Sequence, residues 1–210
     1  VGPFTMTSRA NVSAFCHSID YIVRNKIPGA IVECGIWRGG SMMAAALRLM
    51  QLEAADRDLY FFDTFEGMSD PGTEDRDRQG KKPGEVPMSG VRDDRWCFCP
   101  LEEVQANLAT TGYPSSRQHF VPGMVETTIP DSAPEQIAIL RLDTDWYAST
   151  RHELIHLYPR LVRGGILIID DYGYWQGARQ AVDEYIEQNS LRLLLQRIDH
   201  SARICVKIDD

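Results

Sequence analysis

Short apolar runs punctuate the chain at 30–34, 59–62, 119–121, 137–142 and 166–169, and between them apolar residues return every three or four positions. Continuous apolar runs are the pattern of strands buried on both faces, and the intervening period is that of crossover helices. The alternation therefore predicts an α/β fold around a mostly parallel sheet. Helical spacing predicts helices over 11–25, 42–52, 149–158 and 177–188, with a further one through Leu101, Val104 and Leu108. Pro28-Gly29 stop the first helix, Ser41 is the expected N-cap of the second, Pro122-Gly123 make a turn, and Gly164-Gly165 close the helix before 166–169. The segments 191–197 and 203–208 are expected to pair antiparallel at the end of the sheet, which then has seven strands.

Between 69 and 95 the periodicity gives way to Pro, Gly, Asp, Arg and Lys, as expected of a lid-like insertion over the surface of a single domain spanning 1–210. Composition narrows the partners. The formal net charge is -8 and the basic residues are scattered, so no stripe is built for nucleic acid. No run approaches the roughly 18 apolar residues of a membrane span, and the first part of the chain lacks an export pattern. A cytoplasmic location is expected. The five cysteines, Cys16, Cys34, Cys97, Cys99 and Cys205, are odd in number, and Cys97-Phe98-Cys99 lacks the two-residue gap of a zinc knuckle. Reduced thiols are expected.

Ligands of open α/β sheets bind beyond the carboxyl ends of the strands. The residues there are Glu33 and Gly35, Asp63, Gly123, Asp143 and Asp145, and Asp170 and Asp171. The turn from Glu33 through Gly35, Gly39 and Gly40 to Ser41 lets backbone approach a ligand closely. A dinucleotide fingerprint would place its second glycine on Trp37, and a phosphate loop would need a lysine where Ser41 and Met42 stand, which disfavours NAD, ATP and GTP. Glu33 either serves a ligand's ammonium group, directly or through water, or pairs with a buried arginine. Asp63 either accepts from ribose hydroxyls or caps the next segment. Asp143 and Asp170-Asp171, converging from adjacent strand ends, would repel one another unless a cation neutralises them. An all-oxygen set suits magnesium, with manganese or calcium as alternatives; the competing reading is that Asp170-Asp171 cap a turn. Trp146, Tyr147, Tyr172, Tyr174 and Trp175 either wall an acceptor pocket or belong to the core. His152 and His156 have metal-binding spacing but no third ligand, which favours an ordinary helix face.

Five blocks, in order, resemble the macrocin O-methyltransferase family: Thr5-Met6-Thr7-Ser8, then Val32 through Gly35 and Gly40 to Ser41, then Asp63-Thr64-Phe65-Glu66-Gly67-Met68, then Leu142-Asp143-Thr144-Asp145-Trp146-Tyr147, then Ile169-Asp170-Asp171-Tyr172-Gly173. The resemblance implies a Rossmann-like class I methyltransferase fold that binds S-adenosylmethionine and methylates a sugar hydroxyl of a small-molecule natural product. It places Glu33 and Gly35 near the amino-acid end of the cofactor, Asp63 on its ribose, Gly123 and Met124 near its adenine, and Thr5, Met6 and Ser8 over it, with Gly40 and Ser41 also among the cofactor-binding residues. It makes Asp143, Asp170 and Asp171 the metal ligands, with Asp143 also beside the cofactor. Asp145 is the expected general base, with Asp143 as the alternative. Four residues precede Thr5, where family members carry a longer covering segment, so 69–95 is expected to supply more of the lid. A homo-oligomer, dimer or larger, is expected by the same resemblance. The rival readings are a metal-dependent methyltransferase of phenolic or catecholic acceptors and a non-catalytic binding subunit.

Overall fold

A computed structural model describes residues 1–86, 90–92 and 94–209. The chain runs α1 (Arg9–Arg24), β1 (Ala30–Cys34), α2 (Gly40–Gln51), β2 (Leu59–Asp63), α3 (Leu101–Ala109), β3 (Gln118–Pro122), α4 (Val125–Thr128), β4 (Ile137–Leu142), α5 (Tyr147–Leu157), β5 (Leu161–Ile169), α6 (Gln176–Gln188), β6 (Gln196–Arg197) and β7 (Arg203–Val206). The strands form one seven-stranded sheet in the order β3-β2-β1-β4-β5-β7-β6. The first five are parallel, and β7 runs antiparallel to both β5 and β6. Helices α1, α2 and α3 pack on one face through residues such as Phe15, Ile19, Met42 and Leu108. Helices α4, α5 and α6 pack on the other through Val125, Leu154, Leu157 and Val182. The crossovers leave β1 and β4 in opposite directions, which opens the crevice between their carboxyl ends where such sheets bind ligands. No helix among the described residues is long and apolar enough to cross a membrane.

Three local expectations are corrected. Ser41 is not an N-cap: α2 begins at Gly40 behind Gly39, whose left-handed backbone (φ 86°) turns the chain, and the Ser41 hydroxyl donates to Glu33 instead. Gly164-Gly165 do not end a helix but lie inside β5, which starts at Leu161. The Gly164 N–H donates to the Lys207 carbonyl (2.7 Å), and the register jumps from Ile137↔Leu161 to Ile139↔Ile166, so the glycines absorb a bulge in the strand. The 191–197 strand shrinks to Gln196–Arg197, because Leu191, Leu193 and Leu195 pack against the core instead of pairing.

The 69–95 excursion is pinned to the body where it is described. Asp75, 2% exposed, accepts from the Tyr147 N–H (2.8 Å) at the start of α5 and from the Gly72 N–H (2.7 Å). Its Oδ1 also sits where a Cβ on Gly177, at the start of α6, would fall (1.9 Å). One carboxylate thus faces the N-termini of two helices, where both dipoles favour negative charge. Asp75→Ala is expected to lower stability by about 1–2 kcal/mol. It should also let a protease cut within 69–95 before the domain unfolds, as a timed digestion followed by mass spectrometry would record.

Candidate active site

The carboxyl ends of β1, β2, β4 and β5 open into a cavity of about 320 Å³. Its wall includes Thr5, Met6 and Ser8 from the N-terminal strap, Gly35 and Ser41 beyond β1, Asp63, and the four aspartates Asp143, Asp145, Asp170 and Asp171. A smaller recess of about 60 Å³ shares Gly35, Asp63 and Asp143 with it and is lined further by Gly123, Met124 and Thr64. Most of the residues selected from sequence therefore meet in one cleft. Two do not line it. Glu33 is fully buried behind the wall, and Gly40 lies under the strap, where a Cβ would strike the Phe4 carbonyl at 2.5 Å.

Asp63 clamps the glycine turn after β1 and also holds the segment that follows it, while lining the cleft. Its Oδ2 accepts from the Ile36 N–H (2.6 Å) and the Trp37 N–H (3.1 Å), and its Oδ1 from the Phe65 N–H (2.7 Å). Burial pushes its carboxyl up, opposed by those backbone donors. Gly35 at φ 86° completes the turn.

Glu33 takes the buried-arginine alternative. It accepts from Ser41 Oγ at 2.6 and 2.7 Å and from Arg141, the register partner of Glu33 across β1 and β4. Arg141 is the residue that sequence reasoning passed over. It is fully buried, and its terminal nitrogens also reach Asp143 Oδ2 (2.6 Å), Asp170 Oδ1 (2.6 Å) and Thr7 Oγ1 (3.0 Å). The available signal was the single charge within the apolar run 137–142, because a guanidinium in a strand buried on both faces requires carboxylates nearby. Asn11 was missed as well; from α1 its amide donates to Asp170.

Asp143, Asp170 and Asp171 each offer an oxygen within 4.8 Å of the others. Burial pushes Asp143 and Asp171 well above the usual carboxylate range, and crowding by neighbouring carboxylates adds to the shift. Asp145, held by the carboxyl of Asp171 and by Trp175, is pushed up to about 7, chiefly by burial. Its backbone is left-handed (φ 66°), which turns its side chain into the cavity beside the triad. Trp146 belongs to the core alone, whereas Trp175 is both core and wall. They pack edge to face at 5.0 Å with Trp96 against both, and Trp175 also lines the cavity. His152 bonds the Ile129 carbonyl (3.0 Å), consistent with an ordinary helix face. The cysteines are free thiols. A wall that sequence reading did not foresee comes from the β6–β7 turn, where Asp199 accepts from Ser8, the N-cap of α1, and His200 and Ser201 face the cavity.

The profile of the macrocin-O-methyltransferase family matches residues 2–206. The chain belongs to that family. A mycinamicin III 3''-O-methyltransferase of Micromonospora griseorubida is 32% identical over 93% of this chain and 75% of its own length. An 8-demethyl-8-(2,3-dimethoxy-alpha-L-rhamnosyl)-tetracenomycin-C 4'-O-methyltransferase of Streptomyces olivaceus is 34% identical over 86% of this chain and 67% of its own. The solved structure of the O-methyltransferase NovP superposes with a TM-score of 0.85 at 28% identity, covering 98% of this chain and 83% of that one. This member of the macrocin O-methyltransferase family is thus an S-adenosylmethionine-dependent O-methyltransferase with the class I fold. The family blocks are the segments that build the cleft: strap, glycine turn, Asp63 clamp and two aspartate ends.

Proposed function

We propose that this chain methylates a hydroxyl on the sugar of a glycosylated small molecule, with a divalent cation, magnesium first, held by Asp143, Asp170 and Asp171. The observation that carries the metal is the triad itself. Three carboxylates sit within 4.8 Å with no His or Cys among them, and an oxygen-only set of this charge suits a hard cation with open positions. The sugar acceptor is supported by the relatives, whose names place their methyl groups on a 3'' position and on the 4' position of a rhamnosyl compound.

When bound, S-adenosylmethionine supplies an electrophilic methyl group. When bound, the cation supplies Lewis acidity and a template for the acceptor hydroxyl. The protein's own groups do the rest. The strap residues Thr5, Met6 and Ser8 would cover the cofactor, the Gly35 turn would admit its amino-acid end, Asp63 would take its ribose, and Gly123 and Met124 would border its adenine. Glu33 acts from behind the wall through Arg141, and Ser41, in the wall, holds Glu33. Asp145 takes the acceptor proton, oriented by Trp175 and Asp171, while the tryptophans keep water out. Bringing two reactants into near-attack geometry can remove roughly 7–11 kcal/mol of barrier.

The test is release of S-adenosylhomocysteine with a panel of macrolide and polyketide glycosides carrying free sugar hydroxyls, alongside catechols. Turnover is expected with a glycoside, lost in EDTA and restored by magnesium. Turnover only with catechols would move the acceptor, and turnover indifferent to EDTA would remove the metal.

A further inference from the structure

Each of the carboxylates Asp143 and Asp170 has two oxygens, and the structure engages one on each. Arg141 Nη1 holds Asp143 Oδ2 and Arg141 Nη2 holds Asp170 Oδ1, both at 2.6 Å. Asn11 Nδ2 donates to that same Asp170 Oδ1. The amide cannot be turned over, because its oxygen would then face a carboxylate. With two donors on Oδ1, the Oδ2 atom of Asp170 is left to face a cation, and on Asp143 the Oδ1 atom is left.

The fork that imposes this choice is itself fixed. Arg141 has four terminal N–H groups, and their partners are Glu33 and Asp143 on one nitrogen, Thr7 and Asp170 on the other. Glu33 in turn is held by Ser41 on both oxygens. Four segments therefore lock one guanidinium: the strap, β1 with the first turn of α2, and the ends of β4 and β5.

We infer that Arg141 and Asn11 are positioning residues for the cation site, presenting Asp143 Oδ1 and Asp170 Oδ2 as its single-oxygen ligands. The inference rests on the metal reading above and deepens it. A guanidinium this close also repels a cation, so charge alone would make Arg141 an antagonist of metal binding. Arg141→Lys keeps the charge and removes the fork, and Asn11→Ala changes no charge at all. Both variants isolate geometry from electrostatics.

The experiment is a Mn2+ titration of the folded protein without acceptor, following free Mn2+ by electron paramagnetic resonance. Thermal unfolding and calorimetric S-adenosylmethionine binding are measured on the same samples. Loss of hydrogen bonds behind metal ligands typically weakens a site by about 10–100-fold, and that loss is expected in Arg141→Lys, with a smaller one in Asn11→Ala. Asn11→Ala should still bind S-adenosylmethionine, which a general collapse of the site would not allow. Unchanged or tighter Mn2+ binding in either folded variant overturns the inference. If Arg141→Lys does not fold, Asn11→Ala decides alone. Absence of Mn2+ binding in the parent protein would overturn the metal reading and this inference with it, whereas equal binding by parent and variants sinks the inference only.

Discussion

Gly35→Ala is expected to abolish S-adenosylmethionine binding and to lower stability by more than any other single methyl group added to the cleft. Two effects combine. Gly35 has φ 86°, a left-handed conformation that costs an L-residue about 1–2 kcal/mol. An added Cβ would also lie 1.9 Å from the Asp143 carbonyl oxygen and 2.6 Å from its carbonyl carbon. Those are backbone atoms of the segment leaving β4, tied to β1 by the Asp143 N–H on the Cys34 carbonyl (2.9 Å), so neither side can yield cheaply. The total should exceed about 4 kcal/mol, a size reached only by such backbone and packing conflicts. Gly80 provides the control. Its φ is similar (84°), yet nothing lies within 4 Å of an added Cβ, so Gly80→Ala should show the conformational cost alone. Urea unfolding and calorimetric cofactor binding on the two variants check both parts. Equal losses would mean that strain, and not the approach of β4, sets the requirement for glycine.

The sheet was legible because its central strands are buried on both faces and so read as unbroken apolar runs; β1 and β4 carry the expected bounds, Ala30–Cys34 and Ile137–Leu142. Boundaries failed where one residue type has two uses. Glycine ends helices and also relieves strand bulges, so Gly164-Gly165 was assigned to the wrong role. Serine caps helices and also hydrogen-bonds buried carboxylates, and Ser41 is held by Glu33.

The cleft was legible because strand ends are fixed by the runs that precede them, so Asp63, Asp143, Asp170 and Asp171 could be assigned to one edge. What stayed hidden depends on register and on distant segments. That Arg141 faces Glu33 follows only once β1 and β4 are paired, and that Asn11 reaches Asp170 follows only once α1 is docked. The aromatic ambiguity had no answer from sequence because both readings hold: Trp175 is 2% exposed and still borders the cavity.

Asp145→Asn should separate proton transfer from ligand holding. The asparagine keeps the shape of the side chain, and its amide can donate to Asp171, so the triad member beside it stays in place. What it cannot do is accept a proton from the acceptor hydroxyl. General-base catalysis contributes about 10²–10⁴-fold, and a fall in kcat of that order is expected while Mn2+ and S-adenosylmethionine bind as before. Asp143→Asn serves as the contrast, because that residue is proposed to bind the cation itself and lies in the grip of Arg141. Its loss should appear in metal affinity as well as turnover. Should Asp145→Asn lose metal affinity in step with kcat, Asp145 would join the ligand set, and the role of base would pass to the alternative, Asp143, which lines the same cavity.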